Sequence, residues 1–420
     1  MSIKLRKIDA VIVAILIISA GLVLFYAGII DIKEDEKEDT LTIEEVVIPP
    51  PPTPPESLIL GSERAVSPED EGVHYDKIRI SREWWYFGAI LEGDDSELDG
   101  WTVAVSFNHM AYGDLLGTLK PDLLVVTLIG PNGEEYGGLI NKKRGLGLFS
   151  SPALQANSPG VDVTFGESWA EGKAPEWHVH AEDEDIDENH EIVIDLDYFA
   201  PADPLWVVDS RILDKSKSNV ASYTFLGCNV SGKIIIDGEE FIVKGTGHHE
   251  HSWSPHIVTR GLINGWDWCH VALDNGWHIY YSNYYLTPQI ISSKTTKINP
   301  FGTLVLTTDQ GKTLTKLDKM DVKISKTDER VFLFVKMPSE ISITAKPSLL
   351  QPLLTPFDVE LDIDITAKNT YDKIWRFPTY LGMKIGESEV AGTISWSDDD
   401  GNHEIELSGI GTSWSMRALL

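Results

Sequence analysis

From about residue 57 onward the chain alternates apolar and polar positions over short runs, and Gly, Asn, Asp or Pro interrupts these runs at regular intervals. Val359-Glu360-Leu361-Asp362-Ile363-Asp364-Ile365 alternates strictly, the signature of a strand with one face in a core and the other in water. Trp101-Thr102-Val103-Ala104-Val105-Ser106-Phe107 and Lys233-Ile234-Ile235-Ile236 read as strands too, rich in β-branched and aromatic residues. The body is therefore expected to be all-β. One run breaks the pattern. Ala10 to Ile30 is uncharged and apolar over about the 20 residues that a helix needs to cross the hydrocarbon core, and it predicts the chain's one long helix.

Lys4, Arg6 and Lys7 precede that run, and Asp31, Glu34, Asp35, Glu36, Glu38 and Asp39 follow it. By the positive-inside rule, residues 1–9 are cytoplasmic, 10–30 span the cell membrane once, and the body is extracytoplasmic. A cleaved signal peptide is the alternative, but its apolar core would be shorter, about 7–15 residues, and would end in a small-residue cleavage site. Residues 31–57 are acidic and then proline-rich, ending near Pro49-Pro50-Pro51-Pro52-Thr53-Pro54-Pro55, which favours an extended spacer between membrane and body.

Self-comparison shows that the body is made twice. Trp84, Tyr86, Ala89 and Leu91 match Trp266, Trp268, Val271 and Leu273 at one constant offset, and Gly100-Trp101 matches Gly276-Trp277 after a shorter loop. Near the ends of the halves, Val230-Ser231-Gly232-Lys233-Ile234 resembles Val390-Ala391-Gly392-Thr393-Ile394, and Gly245-Thr246-Gly247 resembles Gly409-Ile410-Gly411. Two β units follow, over residues 58–256 and 257–420. Each is of a size that suits a barrel of eight to ten strands; one large sandwich is the alternative.

Composition narrows the functional classes. The 420 residues are 42% hydrophobic and carry a formal charge of −30, with 65 acidic against 35 basic side chains, so a phosphate-gathering nucleic-acid surface is not expected. Two cysteines, Cys228 and Cys269, make neither a disulfide framework nor a metal knuckle, although one bridge between them stays open. Asn229-Val230-Ser231 is a weak glycosylation sequon. Gly-x-Ser-x-Gly, phosphate loops and dinucleotide fingerprints are absent, and no cofactor is expected. His178-Val179-His180 and the acidic run after it read as a solvated hairpin tip rather than a calcium loop.

What one copy carries and the other lacks is a candidate for function. After the second Gly-x-Gly, copy one continues His248-His249-Glu250-His251-Ser252-Trp253, and copy two continues Thr412-Ser413-Trp414. On an extended segment His249, His251 and Trp253 share one face, and His248 and Glu250 the other. We expect an acid, imidazoles and an indole to converge here, and three readings stay open. One is proton transfer, with an indole face stabilising a developing carbocation. Another is a metal site built from His-x-His, a Glu and one of His256, His270 or His278. The third is a polar strap. Glu83, whose counterpart in the other copy is Gly265, is a second candidate acid or one half of an ion pair. By alternation, half of Tyr280-Tyr281-Ser282-Asn283-Tyr284-Tyr285 is core, and its inward tyrosines are candidates to line a pocket.

These residues carry a resemblance. Glu83-Trp84-Trp85-Tyr86-Phe87-Gly88 and Gly245-Thr246-Gly247-His248-His249-Glu250-His251-Ser252-Trp253 look like the two signature segments of the AttH-like lipocalin-like family, which includes the carotenoid 1,2-hydratases. The first resembles that family's E-W-W-Y-x-G, the second its G-x-G-Y-H-D-H-N-W-G, with Glu250 at its Asp, His251 at its His and Trp253 at its Trp. The resemblance spans roughly residues 65 to 415. It implies two tandem lipocalin-like β-barrels, an apolar ligand site in or between them, and, as in the hydratases, addition of water across an isoprenoid double bond after protonation by an acid. The chain departs from the motif at His248, Ser252 and Ser254, and the hydratases' Y-x-D corresponds to Tyr281-Ser282-Asn283, where Asn283 cannot donate a proton.

The fold expectation is thus all-β: two tandem lipocalin-like β-barrels behind one N-terminal transmembrane helix. The function expectation is binding of an apolar, isoprenoid or lipid-like molecule, with hydration or hydrolysis by acid–base chemistry. Glu250, His251, Trp253 and Tyr281 are the catalytic candidates. Glu83, Trp85, His109, His249, Trp266, Trp268 and Asn283 are the ligand-binding candidates, and no metal is assigned. A non-catalytic lipid carrier or envelope-assembly protein is the alternative.

Overall fold

The computed structural model describes residues 60, 63–75, 81–92, 97–110, 122–140, 154–184, 190–209, 220–255, 263–286, 302–328, 337–347, 359–375 and 380–419. The expected membrane helix at Ala10 to Ile30, the linker at 31–57, His256 and the expected boundary between the β units lie outside them. Among the described residues no helix is long and apolar enough to cross a membrane.

Strands β1 (Ser81–Glu92), β2 (Thr102–Met110), β3 (Asp122–Ile129) and β4 (Glu135–Ile140) form a first antiparallel run. Next come β5 (Leu154–Ala156), β6 (Val161–Phe165), β7 (Ser168–Lys173), β8 (Glu176–Glu184) and β9 (Glu191–Phe199). After β10 (Leu205–Asp209), the long hairpin of β11 (Ala221–Ile236) and β12 (Glu239–Pro255) joins the two runs. The order is β4-β3-β2-β1-β12-β11-β9-β8-β7-β6-β5, with β10 on β11. This sheet curls until β2, β3 and β4 meet β5, β6, β8 and β9 across its interior.

The second sheet repeats the plan with fewer strands. Its members are β13 (Ile263–Leu273), β14 (His278–Leu286), β15 (Thr303–Thr307), β16 (Thr313–Leu317), β17 (Lys319–Asp328), β18 (Met337–Lys346), β19 (Glu360–Trp375), β20 (Tyr380–Asp398) and β21 (Gly401–Leu419). They run β16-β15-β14-β13-β21-β20-β19-β18-β17. The two sheets are separate curled half-barrels, as a tandem of lipocalin-like barrels requires, and not one continuous sandwich.

The duplication extends to register. Ala89 pairs with Gly247 and Trp84 with Ser252 in the first sheet; Val271 pairs with Gly411 and Trp266 with Met416 in the second. The repeated glycines have physical causes. Gly100 and Gly276 adopt φ of 73° and 83° in the turns after β1 and β13, a region that L side chains rarely enter. Gly247 and Gly411 lie so close to the backbone of β1 and β13 that a methyl group would strike the carbonyl oxygens of Gly88 and His270.

Three apolar cores result. One fills the first barrel, with Trp85, Phe87, Phe107, Trp177, Tyr223 and Trp253 buried in it. Another fills the second barrel around Trp277, Ile279, Tyr281 and Leu361. The third lies between the sheets and contains Tyr86, Leu123, Trp268, Tyr280, Met383 and Trp414. Where β1, β12, β13 and β21 border this third core they are buried on both faces, which bears directly on the site.

Candidate functional site

Period-two geometry divides the His248–Trp253 segment between two compartments. His249, His251 and Trp253 enter the first barrel, where His249 stacks on Phe87 at 4.3 Å. His248 and Glu250 face the second sheet, where His248 lies 4.8 Å from both the Trp268 and His270 rings. The expected convergence of acid, imidazoles and indole does not occur, because neighbours on a strand point oppositely. Glu250 and His251 serve different sites.

Glu250 reaches a cavity between the sheets. Trp84, Tyr86, Trp266, Trp268, Tyr280, Tyr284 and Trp414 supply its aromatic wall, and Leu123, Val125, Met383 and Met416 its aliphatic one. Its empty volume is ≈ 690 Å³ including solvent at the mouth. The indoles of Trp84 and Trp266 lie nearly parallel, 7° apart with centroids 6.1 Å apart.

The wall reflects the duplication. Tyr86 pairs with Glu250 and Trp268 with Trp414, so each sheet presents the same two positions and one of the four carries an acid. Glu250 accepts hydrogen bonds from Trp84 Nε1 at 3.0 Å and the Tyr280 hydroxyl at 3.3 Å. Burial pushes its carboxyl up to about 7, against the opposing hydrogen bonds of Trp84, Trp268 and Tyr280. Burial also drives the Tyr86, Tyr280 and Tyr284 hydroxyls above their ordinary range, so they stay protonated. Beside the cavity, His248, His270 and His278 are kept uncharged by burial, His248 near 3 and His278 near 4.

Inside the first barrel a different cluster forms around Glu83, which is fully buried. Its Oε1 faces His251 Nε2 at 2.8 Å and His74 Nδ1 at 3.0 Å. The backbone N–H groups of His74 and Tyr75 donate to Oε2 at 2.9 and 2.6 Å. Burial alone would raise this carboxyl, but hydrogen bonds from His251 and His74 and their charge hold it near 2. Glu83 is thus a paired carboxylate whose partners are imidazoles and not an arginine, and it is not a raised acid. Burial lowers His251 while Glu83 opposes that shift. Among the described residues, His74, Glu83 and His251 form a group whose ligating atoms all lie within 4.8 Å of one another.

His74 comes from a segment that closes the first barrel. Ser67-Pro68-Glu69-Asp70 starts the short helix α1 (Pro68–Glu71) with a capping box and an early proline. Glu71 then accepts from Trp177 Nε1 at 2.8 Å and Ala174 N at 2.9 Å, and burial raises its carboxyl to about 7. The Glu71 carbonyl accepts from Trp85 Nε1 at 2.9 Å.

The remaining candidates fall on either side of these sites. Trp266 and Trp268 line the inter-sheet cavity. Trp85, which stacks on His251 at 4.7 Å, belongs to the first barrel with His249 and Trp253. His109 joins that group by stacking on Tyr75 at 4.2 Å, and its Nδ1 lies 2.9 Å from Asp122. Tyr281 points into the second barrel, and Asn283, fully buried, alternates in phase with it, away from Tyr280, Ser282 and Tyr284 on the cavity face. Where the first barrel has the pair Trp85 and His251, the second has Asp267 and Ser415; Asp267 lies 2.9 Å from Arg417 and accepts from the Tyr285 hydroxyl at 2.5 Å. Cys228 and Cys269 are both free and buried. Sequence reasoning passed over His74, whose capping signature at Ser67–Asp70 was the available clue, and treated Trp84 and Tyr86 as scaffold.

No protein-family model and no curated protein matches this chain by sequence. Its fold does match solved structures. A protein of Nitrosomonas europaea assigned as AttH superposes with TM-score 0.55 and 17% identity, over 84% of this chain and 97% of that one. Kievitone hydratase from Nectria haematococca gives 0.52 and 11%, over 86% and 98%. CghA, solved with Sch210972, gives 0.51 and 14%, over 86% and 96%.

Proposed function

We propose that this chain, which has the fold of the AttH-like lipocalin-fold proteins, one of them a hydratase by name and another solved with Sch210972, is a hydratase acting on an apolar, isoprenoid or lipid-like alkene in the inter-sheet cavity, with Glu250 as general acid. The observation that carries this reading is the Glu250 carboxyl, raised to about 7, in a wall of indoles and phenols, where the other lining carboxylate, Asp267, is paired with Arg417. A carboxyl at that value is protonated in about half of the molecules at neutral pH and is matched to proton transfer.

The step balances within the site. Glu250 gives its proton to one alkene carbon, and the cation left on the other faces the rings of Trp84, Trp266, Trp268 and Trp414. Water adds to that carbon and returns a proton to the Glu250 carboxylate, so alkene and water become alcohol and the acid is regenerated. Tyr280 and Trp84 orient the carboxyl through their hydrogen bonds. In this reading His251, Trp253 and Glu83 hold the first barrel, and Tyr281 and Asn283 the second. An N-terminal helix at Ala10 to Ile30 would hold the body outside the cell membrane, where apolar substrates partition.

The test is Glu250→Gln assayed on acyclic isoprenoid alkenes. Loss of an acid–base group typically costs about 100-fold to 10,000-fold in kcat. Binding should be nearly unchanged, since Gln keeps the shape and can still accept from Trp84. Unchanged turnover in this variant would refute the assignment, and a ligand bound but never hydrated by the native protein would make it a carrier.

A further inference from the structure

The cluster in the first barrel poses a bonding problem that the proposed hydratase chemistry does not use. The Tyr75 backbone N–H donates to Glu83 Oε2 and that of His74 is shared between Oε2 and Oε1, and Oε1 also faces both imidazoles. On His251, Nδ1 lies 3.0 Å from the carbonyl oxygen of Asp70, an acceptor only. That fixes a proton on Nδ1, so in the neutral ring Nε2 is a lone pair facing Oε1 at 2.8 Å. Two lone pairs at that distance need a cation between them, either the second proton of an imidazolium or a metal ion in its place. His74 Nδ1 aims a second imidazole at the same oxygen from 3.0 Å.

The geometry points to a divalent metal site, zinc by donor type, formed by His74 Nδ1, Glu83 Oε1 and His251 Nε2. Two imidazoles and one carboxylate, with a position left for water, form a common zinc donor set. A ligating histidine characteristically donates its other N–H to a carbonyl or carboxylate, as His251 does to Asp70. The rings are held by packing: His74 stacks on Trp253 with centroids 3.8 Å apart and 4° between planes, and His251 stacks on Trp85. Zinc bonds of about 2.1 Å put tetrahedral ligands about 3.4 Å apart, so Oε1 has to retreat by only about 0.5 Å. The His74 side chain is 13% exposed while the other two are closed off, which gives the ion a way in from that side. Bound there, zinc ties the segment after α1 to β1 and β12 and locks the closure of the first barrel.

The test uses the full chain in detergent, stripped by chelator and dialysed against zinc, with elemental analysis and thermal melts. We expect about one zinc per chain and a rise in Tm on loading. His74→Ala, the least buried ligand, should weaken zinc by at least about 100-fold; it also loses the Glu83 contact and the Trp253 stack, so the readout is the rise in Tm on zinc loading, present in the native protein and absent in the variant. His190→Ala, at a histidine 41% exposed and outside the cluster, should change neither. Glu83→Gln should weaken zinc likewise; should it fail to fold, cobalt loading of the native chain decides: a ligand-field spectrum lost in His74→Ala supports the site. No zinc uptake by the native chain, or equal uptake by His74→Ala, would overturn the assignment and leave a proton as the cation. Turnover by Glu250 plays no part in any of these readouts.

Discussion

Replacing Glu250 with Gln should make the protein more stable at alkaline pH and leave it little changed in mild acid. The folded carboxyl titrates near 7, against 4.5 for the ordinary group, because burial penalises its charge. Between those values the folded state binds the proton that the unfolded state releases. Stability from this group is therefore full below 4.5, falls as pH rises through 7, and is gone above it. At about 1.4 kcal/mol per unit, the whole shift is worth about 3 kcal/mol. Roughly 2 kcal/mol of that falls between pH 5.5 and 8.5. Glu71 is raised to about 7 as well, so the native protein alone gives a composite curve. The difference between native protein and Glu250→Gln removes the Glu71 contribution, since that residue lies in the first barrel. Denaturant unfolding at half-unit steps of pH gives the difference directly. The variant's advantage should grow with pH and level off above 8. A difference that is flat, or that shrinks as pH rises, would refute the argument that an ionised Glu250 is buried at a cost.

Gly411→Ala should destabilise the second barrel by about 1–3 kcal/mol in chemical denaturation, because the added methyl meets the His270 carbonyl oxygen across the β13–β21 pair. Trp84→Phe should raise the pH midpoint of activity slightly and reduce turnover, since it removes one hydrogen bond that opposes the upward shift of Glu250 and one indole of the parallel pair; an unchanged rate would remove Trp84 from the mechanism. N-terminal sequencing of the native protein should recover the peptide ahead of Ala10, and the chain truncated to begin near Ser57 should leave the membrane fraction; a mature start beyond Ile30 would contradict the anchor.

Residues whose environment is one-sided were legible in the sequence. In Val359–Ile365 the odd positions are buried and the even ones are not, as strict alternation requires. The paired glycines were equally informative, because a turn at positive φ and a backbone contact each exclude a side chain, and both exclusions recur in the second copy. The segment His248–Trp253 was different. Both faces of β12 are buried, one by the first barrel and one by the second sheet, so polarity could not say which face holds the chemistry. The same ambiguity hid the phase of β14, where Tyr280 and Tyr284 face the cavity and Tyr281 does not. His74 escaped because it follows a four-residue helix in a segment without periodicity, and only tertiary closure brings it to Glu83.

What the cavity holds, and what the protein does to it, tests the hydratase assignment most directly. Mass spectrometry of molecules that copurify with the detergent-extracted protein, before and after incubation with acyclic isoprenoid alkenes in isotopically labelled water, reads both at once. We expect an apolar ligand, and an alcohol that has gained one labelled water with native protein but not with Glu250→Gln. Alkenes recovered unchanged from both proteins, with no label on carbon or oxygen, would contradict the hydratase reading.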